Sequence, residues 1–222
     1  MSSEKLNQVK KENRKHFSLP LITGLILILV SLAIPLKTFS PVITSEIKYR
    51  IDKPKSDTEI TPVNTDFSIV IPKINANTAV VDNIDPFNSQ IYQQALTHGV
   101  ARASTSTTPD KSGNVFIFAH SAGNWYQANQ YNAVFYLINK LKFADPIYIY
   151  YQNKKYTYTV TETKTVDPKD TTYLSANFAQ DQLTLMTCWP PGTTIKRLLV
   201  IAKLKNDHQF YSQKNYSRNF SN

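Results

Sequence analysis

The stretch Leu183-Thr184-Leu185-Met186-Thr187-Cys188 lies near the carboxyl end of the 222-residue chain and is the clearest indicator of its fold. Its alternation is typical of a β-strand, and residues 195–204, which are rich in aliphatic side chains, predict a second strand. The intervening residues 189–194 hold two prolines and a glycine and predict a loop. If the strands pair antiparallel with Cys188 opposite Arg197, their Cβ atoms lie about 4.5–5.5 Å apart on one face. The sequence therefore predicts a thiol beside a guanidinium.

Cys188 is the only cysteine of the chain, so it cannot form an intramolecular disulfide. A lone cysteine in a strand is usually a small buried hydrophobic residue, and taken alone Cys188 fits that interpretation. A free thiol with a pKa of about 8.5 is only slightly ionised at pH 7, so a nucleophilic cysteine needs a nearby positive charge or base. Arg197 can supply that charge, or it can stabilise the oxyanion of a tetrahedral intermediate. The pair favours acyl-transfer chemistry.

Acyl transfer also needs a group that gives and takes a proton near neutral pH, which makes histidine the first choice. His120 follows the apolar run 114–119, which predicts a buried strand, and active-site residues often lie where a strand passes into a loop. His98 follows a predicted short helix, residues 89–96, where the helix dipole alone favours a histidine. We therefore favour His120. Two further histidines lie in a basic amino-terminal segment and a polar tail, which are poor places for a rigid site: His16 and His208.

These strings, taken in order, resemble the bacterial sortases, which are membrane-anchored cysteine transpeptidases. The resemblance rests on Phe118-Ala119-His120-Ser121, on residues 183–188 and on Arg197, and it covers residues 67–204. The family often has a glycine before the aspartate of a helix-to-strand turn, where this chain has Ala144. Weaker matching pieces occur in the expected order: Ile71-Pro72-Lys73-Ile74, Gly99-Val100, Gly113-Asn114 and Asp145.

The resemblance implies a catalytic set of Cys188, His120 and Arg197. In such a mechanism the Cys188 thiolate attacks the threonine carbonyl of a motif resembling Leu-Pro-x-Thr-Gly, Arg197 stabilises the oxyanion, and His120 protonates the departing glycine amine. An amine then resolves the thioester. The implied partners are secreted proteins with a carboxy-terminal sorting signal, and the implied acceptor is a peptidoglycan precursor or a lysine of a surface protein.

Substrate contacts are predicted from the strand period. Phe118 and Met186 each lie two residues before a catalytic residue, so in extended strands they share its face and are candidates for an apolar floor under the motif. Thr187, beside the cysteine, is a further candidate for contact with the substrate. Asp85-Pro86-Phe87 resembles the lid motif of pilin-assembling sortases, but its position favours a turn that enters a helix.

The strand runs predict a mainly β fold, a small barrel with a few short helices, for residues 67–204, and the resemblance implies that it is a closed eight-stranded sortase-like β-barrel. The clearest helical spacing lies at residues 131–141. Residues 37–66 predict an extended stalk, and residues 205–222 predict a polar flexible tail. Seven runs have the character of strands: 67–71, 79–81, 115–119, 147–151, 155–166, 183–188 and 195–204.

Residues 19–36 carry no charge and predict a single transmembrane helix. Residues 1–18 hold five basic and two acidic side chains, so the positive-inside rule places them in the cytoplasm and the remainder of the chain outside the cell membrane. A cleaved signal peptide is the rival interpretation. Of the net charge of +9, the part beyond this segment is spread thinly without a nucleic-acid motif, which argues against a nucleic-acid partner.

Two functional alternatives stay open at this stage, and so does a need for calcium. The chain could polymerise pilins, although it has no second predicted membrane span. It could instead be a catalytically silent, membrane-tethered binding domain with the same fold, although none of the three catalytic residue types is missing. No cofactor is expected and no metal cluster is visible in the sequence, whereas calcium held by scattered carboxylates, as in some relatives, is a possibility that rates with calcium and chelator would decide.

Overall fold

The computed structural model describes residues 20–33, 47, 60–121, 134–175, 178, 181–205 and 209–210. The chain divides into two units, Met1–Phe39 and Ser40–Asn222. In the first unit, residues 20–33 form the helix α1, inside the segment for which an anchor is predicted. Within the part of the chain that is described, no helix combines the length and the apolar character needed to cross a membrane. The predicted cytoplasmic segment 1–18 and nearly all of the predicted stalk lie outside the described residues.

The strand-rich part of the second unit that the structure describes, from residue 60 onward, contains short strands, the α-helix α2 (Ser89–Ala95), and 3-10 turns at Pro72–Ile74, Ile138–Lys140 and Thr172–Leu174. The strands are β1 (Phe67–Ile71), β2 (Ala76–Ile84), β3 (Val100–Ala103), β4 (Asn114–Phe118), β5 (Pro146–Tyr151), β6 (Lys154–Val166), β7 (Gln182–Trp189), β8 (Lys196–Leu204) and β9 (Gln209–Phe210).

Eight of these strands close into a barrel. Their order is β5-β1-β2-β3-β4-β7-β8-β6, and β5 also pairs with β6, which completes the ring. The predicted closed eight-stranded β-barrel is therefore confirmed. The ninth strand pairs with β6 at Lys154 and Lys155, so two residues of the predicted flexible tail are strand-paired, and the rest of that tail beyond residue 205 lies outside the described residues.

The barrel core follows from the two-residue period of its strands. Alternate residues of the neighbouring strands β4 and β7 are fully buried, among them Ile117, Leu183 and Leu185. Burying such aliphatic side chains is the main favourable term in folding. The intervening positions Phe118 and Met186 lie on the other face of the same strands, because successive side chains of a strand point to opposite faces. That second face is where the site is built.

A two-residue turn joins β5 to β6. Gln152 and Asn153 both have positive φ, 48° and 61°, which is the backbone pattern of a type I′ hairpin turn. Such a turn matches the right-handed twist of paired strands, and it places Tyr151 opposite Lys154. The strands predicted for residues 147–151 and 155–166 thus form a hairpin in the barrel wall.

Two local predictions differ from the structure. The helix predicted for residues 131–141 is not present in its described part, where residues 134–137 form turns and Ile138–Lys140 a 3-10 turn. Most of the apolar side chains that gave the helical pattern are still used for packing, since Leu137, Ile138 and Leu141 are buried. The strand β3 was not predicted, because Val-Ala-Arg-Ala is short and its alanines and arginine have little strand preference.

Candidate active site

Cys188 lies opposite Arg197 in the antiparallel pair of β7 and β8, as the sequence predicts. Opposite residues of such a pair share one face of the sheet, so the two side chains start from neighbouring Cβ atoms, and both line the same cleft. Cys188 is a free thiol and half-buried. Nη1 of Arg197 donates hydrogen bonds of 3.1 Å to the carbonyls of Thr194 and Lys196, which fixes the guanidinium against the loop between the two strands.

His120 reaches the other side of Cys188 through the parallel pairing of β4 with β7. Phe118 lies opposite Met186 in this pair, and the Ala119 N–H donates to the Met186 carbonyl at 3.1 Å. The alignment thus continues one residue past the end of β4. Two positions beyond the last pair, the chain carries His120 just past the end of β4, next to the end of β7 that holds Cys188. Cys188 and Arg197 therefore stand on the adjacent strands β7 and β8, and His120 lies just past the end of β4, the strand on the other side of β7.

Burial changes the protonation of the histidine. Desolvation lowers the pKa of His120 below its ordinary value of 6.5, because removing water disfavours the charged imidazolium. The imidazole is therefore neutral at pH 7 and can accept a proton. His98, in contrast, is exposed at the end of α2, where its Nδ1 lies 3.0 Å from the Thr97 hydroxyl and 3.2 Å from the Gln94 carbonyl oxygen. Its position is that of a helix-end residue, outside the cleft.

A cleft of about 400 Å³ brings these residues into one space, and its lining includes Cys188, His120 and Arg197. One wall comes from the turn before α2 and from α2 itself. Further lining comes from the segment that follows β6 and from the loop between β7 and β8. A space of this size suits a short peptide or a drug-sized ligand.

Phe118 and Met186 form the apolar floor beside the catalytic residues, and both line the cleft. The ring of Tyr92, from α2, meets the ring of Phe118 edge to face with centroids 6.1 Å apart. Aromatic pairs prefer this arrangement. The strand-period argument therefore placed both side chains on the correct face, and their contact with a substrate stays a prediction.

Thr187 is placed differently from its prediction. Its side chain is buried and does not line the cleft, and its hydroxyl donates a 2.9 Å hydrogen bond to the Ala119 carbonyl. The physical reason is the strand period, because a residue next to Cys188 must point to the opposite face. Thr187 thus ties β7 to the residue before His120, and we correct its assignment from substrate contact to support of the site.

Asp85-Pro86-Phe87 forms the turn that enters α2, as predicted. The Phe87 N–H donates to the Asp85 carboxylate at 2.9 Å, and the Asn88 side chain caps the helix by accepting from the Ile91 N–H at 3.2 Å. Pro86 and Phe87 also line the cleft, and Phe87 is 68% exposed. The turn thus contributes one rim of the site.

The segment that follows β6 was not predicted to contribute to the site. Residues 167–175, called the wall segment below, supply Asp170, Tyr173 and Leu174 to the cleft. Nothing in the sequence pattern places a loop of this kind, because its course depends on contacts with strands far away in the chain.

Among the described residues, no group of three or more histidine, cysteine or carboxylate side chains is arranged to hold a metal ion.

Comparisons with known proteins agree with this architecture. A sequence model of the sortase domain matches residues 69–205. The chain is 27% identical to Sortase D of Bacillus subtilis (strain 168) over 136 residues, which cover 60% of each protein, so less than two thirds of that relative is spanned.

Solved structures give the same result. Sortase A from Corynebacterium diphtheriae is 31% identical, with a TM-score of 0.54 over 65% of this chain and 62% of that chain. A structure of Clostridium perfringens sortase C with the C-terminal cell wall sorting motif is 23% identical, with a TM-score of 0.53 over 77% and 89%, and shares the fold. Since the matched domain takes in more than half of the sequence and the whole of β4, β7 and β8, the chain belongs to the sortase family.

Proposed function

We propose that this chain is a cysteine transpeptidase that cleaves a Leu-Pro-x-Thr-Gly-like sorting motif after threonine and joins the threonine carbonyl to an amine. The observation that supports the proposal is the placement of Cys188, His120 and Arg197 in one cleft. A nucleophile, a base that is neutral at pH 7 and an oxyanion donor are the parts that acyl transfer needs.

In the first half-reaction the Cys188 thiol gives its proton to the neutral imidazole of His120 and the sulfur attacks the threonine carbonyl. The guanidinium of Arg197 donates to the oxyanion of the tetrahedral intermediate. As the carbon–nitrogen bond breaks, the imidazolium of His120 protonates the leaving glycine amine. The products are a thioester on Cys188 and a free glycine amino terminus, with the histidine neutral again.

In the second half-reaction an amine takes the place of the departed glycine. His120 removes a proton from the amine as its nitrogen attacks the thioester carbonyl, and the Cys188 sulfur leaves and regains a proton from the imidazolium. A new amide bond forms and the enzyme returns to its starting state. The proposed acceptor is a peptidoglycan precursor or a lysine of a surface protein, and the proposed donor is a secreted protein with a carboxy-terminal sorting signal.

The test is a transfer assay on the full chain in detergent. A library of Leu-Pro-x-Thr-Gly-like peptides is incubated with glycine-based, lysine-based and peptidoglycan-derived amines, and products are identified by mass spectrometry. We expect a peptide joined through threonine to one class of amine, and no product with Cys188→Ala. If the wild-type protein joins no peptide to any amine, yet binds peptides with the affinity of Cys188→Ala, a silent binding domain is the better account.

We also propose that residues 19–36 anchor the chain in the cell membrane with the cleft outside. The support is the uncharged run and the basic residues before it. Fractionation of cells that express the full chain or a form without residues 1–36 tests the proposal. We expect only the full chain to stay with membranes after a high-salt wash, and recovery of both forms in the same soluble fraction would contradict it.

The proposed mechanism balances its protons without a metal, so we propose that no resident cofactor is needed. Calcium is the ion to test, because a loop beside the cleft holds carboxylates such as Asp170. Transfer rates are measured with calcium and with a chelator, and we expect them to agree within about twofold, a small effect on the scale of catalytic groups. A rate that rises tenfold with calcium would contradict the proposal.

A further inference from the structure

We infer that Asn114, together with Thr105, is a positioning residue that holds the wall segment, residues 167–175, in the shape that binds the peptide. The inference rests on the proposed transpeptidase function and deepens it, because it names the residues that set the form of the substrate cleft. Asn114 begins β4, the strand that leads to His120, and its side chain is completely buried. A buried amide in a strand of aliphatic and aromatic residues needs a specific reason.

The carboxamide of Asn114 links the barrel to the wall segment. Its Nδ2 donates to the Tyr173 carbonyl at 2.7 Å and, more weakly, to the Ser175 carbonyl at 3.4 Å. Its Oδ1 accepts from the Thr184 hydroxyl at 2.9 Å and from the Gln182 side chain at 3.3 Å. An asparagine side chain offers two donor hydrogens and two acceptor sites, so all four are in use.

Thr184 and Gln182 orient the amide. Both side chains are buried on β7, next to Asn114 on the neighbouring strand, and they also contact each other at 3.3 Å. Because both donate to Oδ1, the Nδ2 group has to point toward the wall segment. Buried polar networks that are fully satisfied hold a single arrangement, since breaking one bond leaves buried groups without partners.

Thr105 provides a second attachment from a different loop. Its hydroxyl donates to the Leu174 carbonyl at 2.8 Å. Tyr173 and Leu174, whose carbonyls receive these bonds, both line the cleft that holds Cys188. The two attachments therefore act on the backbone of the residues whose side chains form the wall.

The chemistry predicts which substitution releases the wall. Asn114→Asp keeps the shape but replaces the two donor hydrogens with an acceptor, so a carboxylate oxygen would face the Tyr173 and Ser175 carbonyl oxygens. Thr105→Val removes the hydroxyl and keeps the shape of the side chain. Because the position is exposed, we expect this variant to fold like the wild type. Thr105→Ser keeps the hydroxyl and is the matched control.

The experiment uses the full chain in detergent and has two independent readouts. Hydrogen exchange followed by mass spectrometry reports on residues 167–175 without any substrate. We expect exchange there to accelerate at least about fivefold in Asn114→Asp and Thr105→Val, the loss expected for one hydrogen bond, while Thr105→Ser matches the wild type. Exchange in β1 and β5 should be unchanged, because no described hydrogen bond joins either strand to the amide or to the wall segment. The strand β6 does not serve as a control, since it leads into that segment and its Lys164 packs over the Tyr173 ring at 4.5 Å.

Kinetics then separates positioning from general instability. We expect KM for the sorting peptide to rise at least about threefold with kcat within about twofold, because the wall binds the peptide but takes no part in bond breaking. Alkylation of Cys188 by iodoacetamide should be unchanged, since this small probe does not need the wall. A merely structural role would instead lower the active fraction, and with it kcat, and leave KM as in the wild type.

The outcomes distinguish this inference from the proposed function. If exchange in residues 167–175 and KM are both unchanged in Asn114→Asp and Thr105→Val, the inference is wrong whatever the activity of the wild type. If Asn114→Asp does not fold, Thr105→Val decides on the same criteria. If the wild type transfers no peptide, the proposed function fails, and the exchange measurement still decides whether these residues hold the wall.

Discussion

The pairing of β7 with β8 and of β4 with β7 determines which side chains come together at the site. Cys188 and Arg197 belong to strands joined by a short loop, so their pairing is a local consequence of the sequence and was predictable. His120 reaches the same place through the parallel pairing of β4 with β7, whose strands are far apart in the sequence. That pairing could be expected only through the family resemblance, since no local pattern specifies it.

The lowered pKa of His120 predicts how the activity depends on pH. Because burial lowers its pKa below 6.5, the neutral base persists to lower pH than in an ordinary histidine. We expect kcat/KM for peptide acylation to be retained at pH 6.5 and lost only as the pH falls further through the lowered pKa. The measurement is kcat/KM from pH 4.5 to 8 with the sorting peptide, and an acidic limb centred above 6.5 would contradict the assignment.

The same shift affects stability in a known direction. Below pH 6.5 the unfolded chain binds a proton at this histidine that the folded chain resists, so this residue reduces stability as the pH falls. We expect His120→Gln to lose less stability than the wild type between pH 7 and pH 5, measured by urea unfolding. Equal losses in the two proteins would mean that the histidine is not desolvated.

Arg197 is expected to act through geometry as well as charge. Arg197→Lys keeps a positive charge but loses the planar group whose Nη1 is fixed by two loop carbonyls. We expect kcat/KM for acylation to fall about 100-fold, the usual loss for one oxyanion donor, mainly through kcat. Steady-state kinetics measures this, and the thermal unfolding temperature serves as the control. Wild-type kcat in Arg197→Lys would exclude a role that depends on the guanidinium.

Single residues also show what the sequence pattern cannot distinguish. Thr187 stands beside Cys188 in the string, but the strand period turns it away from the cleft and toward the Ala119 carbonyl. Asn114 and Tyr173 are far apart in the chain, and only the folded structure reveals that the Asn114 side chain donates a hydrogen bond to the Tyr173 carbonyl. The motifs shared with the family indicate which positions matter, and the structure shows whether each side chain lines the cleft or supports it.

At the scale of elements, strands with a strong apolar pattern were predictable and loops were not. The strand β3 escaped prediction because Arg102 interrupts a short run, yet that arginine is buried. Its Nε donates to the Asp82 carboxylate and its Nη1 donates to the Ser106 carbonyl at 2.7 Å. An ion pair between distant residues thus replaces the apolar side chain that a pattern search expects.

Gly99 allows β2 and β3 to approach each other. A Cβ at this position would lie 2.3 Å from the Ala79 carbonyl oxygen, a distance that real Cβ atoms do not show. We expect Gly99→Ala to lower the free energy of unfolding by about 1–3 kcal/mol, the usual cost of overpacking. Urea unfolding is the measurement, and Gly192→Ala, whose added Cβ meets no atom within 4 Å but whose φ of 80° disfavours an alanine, is the control for backbone strain without overpacking. A loss no larger than the control's would contradict the close approach.

Ala144 is expected to strain the turn before β5. It has a φ of 70°, in the left-handed region that costs an alanine about 1 kcal/mol or more, and its side chain is exposed. The sortases often have glycine here. We expect Ala144→Gly to raise the free energy of unfolding by roughly 0.5–1 kcal/mol, since relief of strain exceeds the entropy that glycine adds to the unfolded chain. Thermal unfolding tests this, and a lower midpoint would show that the turn is unstrained.

At the scale of the whole molecule, closure of the barrel fixes the relative positions of the strands around the site. The ring of eight strands has β4, β7 and β8 side by side, and a closed sheet leaves no edge along which these strands can slip. The number of strands and the closure were expected from the family resemblance. The order of strands in the ring and the course of the wall segment depend on long-range pairing, which the pattern of a single sequence does not contain.

The central claim is that Cys188 is the nucleophile of an acyl transfer, and trapping its thioester tests this most directly. The full chain is mixed with the best sorting peptide without an amine acceptor, quenched in acid and measured intact and after digestion. The account predicts an added mass equal to the peptide up to its threonine, located on Cys188 and absent from Cys188→Ala. If no adduct forms on a folded protein whose Cys188 still reacts with iodoacetamide, the account is contradicted.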